Sequence, residues 1–253
     1  MSFYDLSKEE REKTVKEIKQ VIEHDLRCGI VENILKYAAD HDTYIRKNTY
    51  IILGCLYRDR QDMRESILSV LDALFVNKDE KVRQTVVYAL GEIGKIDAQK
   101  VLKLFEKALE DEQPSVGRAV TGALKQMGQK NPTSTLEFAK RFLHHPDPKI
   151  RRKIIHGIEL HGRTHPEDIL PLLTEVQNDP NRDVRKIITH VISQISYKKG
   201  CLEKVISTLK GWENKELVEK ALKEILEVHK RYEKFSAKSF DKAKEYIEHQ
   251  FNT

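Results

Sequence analysis

Six segments of the chain open a helix in the same way, and most of the intervals between them are identical. Aligned on the first apolar residue, they begin at Ile45, Val82, Val116, Ile150, Val184 and Val218. The first interval is 37 residues and the next four are 34. A fixed period in this range marks a stacked helical repeat, in which a unit too small to bury its own apolar face is covered by its neighbour.

From each start, apolar or small residues recur at offsets 4, 7, 8 and 11. In the second repeat these are Val86, Ala89, Leu90 and Ile93, and in the fifth Ile188, Val191, Ile192 and Ile195. This spacing draws one stripe along one side of a 3.6-residue helix. A shorter amphipathic stretch precedes each start, such as Ala98–Leu109 or Ile169–Val176, and Pro114, Pro146, Pro148 and Pro180 separate the two. Each repeat is therefore expected to be a helix pair, A then B. The expected fold is an all-α, right-handed solenoid of about six pairs with a cap helix at each end. As a single domain over 1–253, it divides into an N-terminal cap (1–29, helix Ser7–Leu26), six repeats (30–235) and a C-terminal cap (236–253, helix Lys238–Phe251).

The repeat resembles the HEAT repeat, an armadillo-type helical repeat. The residues that carry the likeness are Asp79–Gly94 (DEKVRQTVVYALGEIG), Asp147–Gly162 (DPKIRRKIIHGIELHG) and Asp179–Ile195 (DPNRDVRKIITHVISQI). The resemblance implies that the B helices line the inner, concave wall.

No strand-like alternation persists, and the longest apolar run, Tyr50–Tyr57, is too short to span a bilayer. The polar first ten residues give no sign of a secretory signal. Cys28, Cys55 and Cys201 are scattered and form no CxxC, which points to a reducing, cytoplasmic setting.

The formal charge of +5 is unevenly placed. Between Pro114 and Gly200 stand fifteen Lys and Arg against eight Asp and Glu, so the remainder is at minus two. Helical phase sorts these charges. Offset 1 lies at the edge of the buried face and holds Arg46, Arg83, Gly117, Arg151, Arg185 and Glu219. Five residues before the starts stand Asp40, Asn77, Asp111, His145, Asp179 and Glu213. Arginines beside acids at a buried edge predict a structural ladder. Offset 2 points away from the core and holds Lys47, Gln84, Arg118, Arg152, Lys186 and Lys220. Offset 13 lies nearby, with Arg58, Arg163 and Tyr197, and offset 6 falls between them, with Tyr88, His156 and His190. On the B-helix face these columns form a basic strip. Lys47, Arg58, Arg118, Arg152, Arg163, Lys186 and Lys220 are the candidate nucleic-acid contacts. Tyr88, His156, His190 and Tyr197 are the candidate concave-face contacts for a protein partner.

No HExxH, GxGxxG, Walker loop or GxSxG occurs, and no cofactor, metal or small-molecule substrate is implied. His161 and His165 share a helix spacing but lack a third ligand, which leaves them at a helix end. The segment Arg163–Trp212 (RTHPEDILPLLTEVQNDPNRDVRKIITHVISQISYKKGCLEKVISTLKGW) is similar to the HEAT-like-repeat alkylpurine DNA glycosylases, which cradle duplex DNA in a basic groove. That family's tryptophans and its Trp-Asp segment are not matched, since Trp212 is the one tryptophan and Glu213 follows it. The likeness implies duplex DNA as a ligand, with Arg118 and Arg152 as phosphate-binding arginines, and places no catalytic carboxylate. Non-enzymatic binding of nucleic acid, duplex DNA first, is the favoured expectation. A protein–protein scaffold is the alternative, and a glycosylase-like enzyme comes last. No membrane association is expected.

Overall fold

The computed structural model describes residues 3–251. Among them every regular element is helical. The chain forms two compact units, the first ending at Asn131 and the second beginning at Pro132.

In the first unit, helix α1 (Lys8–Cys28) precedes three pairs: α2 (Glu32–Ala38) with α3 (Thr43–Asp59), α4 (Arg64–Phe75) with α5 (Glu80–Gly94), and α6 (Leu102–Leu109) with α7 (Pro114–Lys130). A capping box opens α1: the Glu10 amide donates to Ser7 Oγ (3.2 Å) and the Ser7 amide to Glu10 Oε2 (2.8 Å). This satisfies two amides that a helix start would leave bare. Gly29 closes the helix at φ 68°, a conformation that costs a residue with a Cβ. The three B helices pack in series, α3 on α5 and α5 on α7. Gly91 permits the second contact, because a Cβ there would lie 2.7 Å from the Ala123 Cβ. The stripe residues Val82, Val86, Ala89, Leu90 and Ile93 are all buried, as are Leu71 and Phe105 from the A helices. Helix α6 begins at Leu102, four residues later than the expected Ala98, because Ala98–Val101 forms turns.

The second unit contains α8 (Pro132–Phe142), α9 (Pro148–Gly157), α10 (Glu159–Gly162), α11 (Pro166–Glu175), α12 (Arg182–Gln194), α13 (Cys201–Lys210), α14 (Lys215–Arg231) and α15 (Phe240–Phe251). Here too three pairs are present. The first B helix is broken at Ile158 (φ −87°, ψ −6°) into α9 and α10. Val184, Ile188, Val191, Ile192 and Ile195 are fully buried, so the fifth stripe is core. Trp212 is buried and donates its indole N–H to Thr174 Oγ1 on α11 at 2.9 Å.

Two of the edge arginines bridge consecutive repeats. Arg83 donates from Nε and Nη2 to Asp111 (2.7 and 3.2 Å) and from Nη1 to the Asn77 carbonyl (2.8 Å). Arg151 repeats the pattern with Asp179 (2.6 and 2.8 Å) and the His145 carbonyl (2.7 Å). Arg185 keeps the carbonyl half alone, donating to Asp179 O and Pro180 O. A planar fork matches a carboxylate on one edge while its remaining N–H serves the loop that precedes its own helix. The third repeat has Gly117 and His145 at the corresponding positions and encodes no such pair.

Candidate functional site

In the first unit the offset-2 column lies on the solvent-facing side of the B helices. Lys47 on α3 and Arg118 on α7 are exposed and enter no ion pair among the described residues. Arg58 is exposed but tied to its neighbour, donating from Nε and Nη2 to Asp59 at 2.7 and 3.1 Å. Tyr88 is half-buried: it stacks on Tyr50 of α3 (ring centroids 5.0 Å), and Gly122 of α7 leaves room for its other side. Burial pushes the Tyr50 hydroxyl up to about 12 and raises that of Tyr88. The row expected to be open is therefore a packing seam in this unit.

In the second unit Arg152 on α9 and Lys186 on α12 are exposed and likewise enter no ion pair among the described residues. Lys220 on α14 pairs with Glu216 one turn earlier. A groove of about 430 Å³ between α12 and α14 is lined by Arg182, Lys186, Lys220 and Lys223 together with Glu216, Glu224 and Glu227, so it carries both signs.

The other expected contacts of this unit converge on a residue that spacing did not single out. Glu159, at the break between α9 and α10, has a side chain only 1% exposed. Arg163 donates to its Oε1 from Nε (3.0 Å) and Nη2 (2.5 Å), and also to Gln194 Oε1 (3.0 Å). His156 Nε2 lies 3.2 Å and His190 Nε2 3.6 Å from its Oε2. The far side of His190, Nδ1, faces Glu224 Oε1 at 3.5 Å. A buried carboxylate is costly unless its lone pairs are met, and these donors meet them. The contacts with the Glu159 and then the Glu224 carboxylates push His190 up to about 9, against its partial burial.

Two placements differ from expectation. Tyr197 is 6% exposed and stacks on Tyr232 at 5.4 Å. Helix α12 ends at Gln194, so the helical phase that put residue 197 on the open face no longer applies there. His161 stands at the end of α10 as expected, with its side chain buried and its Nε2 2.7 Å from Asp168 Oδ2, on the first turn of α11. Arg163, counted as a phosphate contact, is occupied by Glu159 and Gln194.

Three helix pairs per unit, with an arginine fork tying two repeats together in each, give an α-helical repeat fold like that of HEAT and armadillo proteins. A family model for HEAT repeats matches residues 67–140. No curated protein matches the chain by sequence. AlkD2 from Streptococcus mutans is similar in structure, with a TM-score of 0.58 at 17% identity over 76% of this chain and 96% of that one. The MAST/Orbit N-terminal domain has a TM-score of 0.53 at 13% identity, over 78% of this chain and 96% of that one. Importin beta has a TM-score of 0.50 at 14% identity, over 80% of this chain and 31% of that one. At these identities the likeness is one of fold. Among the described residues no helix is long and apolar enough to cross a membrane.

Proposed function

We propose that this protein is a non-enzymatic binding module whose B-helix faces hold a nucleic-acid backbone, with duplex DNA as the first choice. The observation that carries this reading is the state of four cations. Lys47, Arg118, Arg152 and Lys186 share one repeat position, are exposed, and have no acid partner among the described residues. Elsewhere the chain pairs its surface arginines readily, as Arg58 with Asp59 and Arg60 with Asp62 show. In the second unit α9 and α12 are neighbouring B helices, roughly 8–10 Å apart as packed helices are, which brings Arg152 and Lys186 within reach of successive phosphates, whereas in the first unit α5, with Gln84 at this position, stands between Lys47 and Arg118. The resemblance of Arg163–Trp212 to alkylpurine DNA glycosylases points the same way. Three free cysteines suit a reducing, cytoplasmic setting.

The mixed-charge groove between α12 and α14 favours a second reading, a protein partner bearing both signs. One experiment separates the two. In the Arg118→Gln, Arg152→Gln, Lys186→Gln variant, affinity for unrelated duplexes should fall alike and the salt dependence should flatten by about three units on a log–log scale. Circular dichroism should be unchanged, because these side chains face away from the core. Duplex binding that survives the triple change, or wild-type protein that binds no duplex at low salt, would count against the nucleic-acid reading and favour the protein partner.

A further inference from the structure

The cluster around Glu159 has the form of a metal site. We propose that His156, Glu159 and His190 bind one divalent transition-metal ion of the zinc class. The inference stands apart from the phosphate-binding proposal and does not depend on it.

Three features converge. The first is the donor set: two imidazole nitrogens and one carboxylate oxygen, all within 4.8 Å of one another. Nitrogen and oxygen donors in this ratio suit zinc, cobalt and related ions, with a remaining position open to water. The second is spacing. With metal–ligand bonds of about 2.05 Å, tetrahedral ligands stand roughly 3.3 Å apart. The two imidazole Nε2 atoms lie 3.2 and 3.6 Å from Glu159 Oε2, on either side of that value. The third is the surrounding shell. Arg163 occupies Oε1 with two N–H groups, which fixes the carboxylate and leaves Oε2 toward the histidines. Glu224 Oε1 stands 3.5 Å from His190 Nδ1, the position from which a carboxylate orients a metal-bound imidazole. The histidine side chains are 35% and 38% exposed, so an ion can enter from solvent, while the carboxylate beneath them is buried.

An ordinary ion-pair cluster would show the same hydrogen bonds and bind no metal, so metal binding itself is the test. Chelator-treated full-length protein is titrated with Co²⁺, read by visible ligand-field absorption, and then challenged with Zn²⁺. The expected result is saturation at one equivalent, displacement by Zn²⁺, and bands of a nitrogen- and oxygen-coordinated ion. Glu224→Gln should weaken binding by about 10–100-fold, as loss of an orienting partner does. His156→Gln and His190→Gln should weaken it further. Both rings are partly exposed, and circular dichroism verifies that these variants fold. His144→Gln, remote from Glu159 in the repeat, should leave binding unchanged. The inference is overturned if folded wild-type protein shows no saturable equivalent. It is also overturned if the His156→Gln, His190→Gln double variant binds as wild type does. Cys28, an exposed thiol, has its Sγ 3.8 Å from His24 Nε2, and thiolate charge-transfer bands that vanish with Cys28→Ser would likewise overturn the inference by placing the ion there.

Discussion

Replacing Arg151 by Ala is expected to destabilise the second unit by about 3 kcal/mol. In the native protein the Arg151 and Asp179 side chains are 10% and 4% exposed, joined by two hydrogen bonds of 2.6 and 2.8 Å. Removing one partner of such a pair leaves the other charge buried, which costs about 3–5 kcal/mol. The lower end applies, because the Asn181 amide still donates to Asp179 Oδ1 at 2.8 Å. Arg185 provides the internal control. It occupies the same repeat position one period later but donates only to the carbonyls of Asp179 and Pro180. Losing neutral acceptors of this kind costs about 1 kcal/mol, so Arg185→Ala should be the milder change by about 2 kcal/mol. The assay is urea unfolding followed by fluorescence of Trp212, the chain's one tryptophan, which is buried in the same unit. Equal losses in the two variants, or a loss below about 1 kcal/mol for Arg151→Ala, would refute the argument that the carboxylate link holds the repeats together. A double-mutant cycle with Asp179→Asn isolates the pair, and coupling near zero would refute it again.

Three further outcomes are expected. Ile188→Ala removes a fully buried side chain of the α12 stripe and should cost about 2–5 kcal/mol in the same fluorescence assay. Gly91→Ala forces a methyl against Ala123 and should cost about 1–3 kcal/mol, measured by thermal unfolding in circular dichroism. His229 is buried, with Glu203, Ser236 and Lys238 around it, and burial holds its pKa below the ordinary 6.5. The unfolded chain therefore takes up this proton first as pH falls. The stability tied to neutral His229 is present above pH 6.5 and lost as pH drops through the lower, folded-state value. His229→Leu should flatten that acid limb in a plot of urea midpoint against pH.

The repeat period made most of the fold legible. Stripe positions such as Val86 and Ile192 are buried, and the acids five residues before the starts meet the offset-1 arginines at Asp111 and Asp179. The periodic columns worked because packing in a stacked array repeats with the helix. Where the backbone leaves the helix the columns lose meaning: Tyr197 lies past the end of α12 and turns inward. Glu159 is not legible in the columns for a related reason. Its column, offset 9, holds Gly54, Gly91, Lys125, Ser193 and Glu227, which have no common chemistry. Spacing does not separate a buried acid from a solvated one. The signal in the sequence is local: Arg163 stands four residues after Glu159 and His156 three before, the spacings at which helical side chains meet. The pairing of Arg163 also shows why a cation on the right column is not thereby free to meet a ligand.

The central claim is that unpaired cations on the B-helix faces hold phosphates, and salt dependence tests it most directly. Fluorescence anisotropy of a labelled duplex, titrated at several salt concentrations, gives the slope of log affinity against log salt. Four phosphate contacts, from Lys47, Arg118, Arg152 and Lys186, predict a slope of about −3.6 that is the same for duplexes of unrelated sequence. A slope near zero, or no binding to duplex at low ionic strength, would contradict the claim.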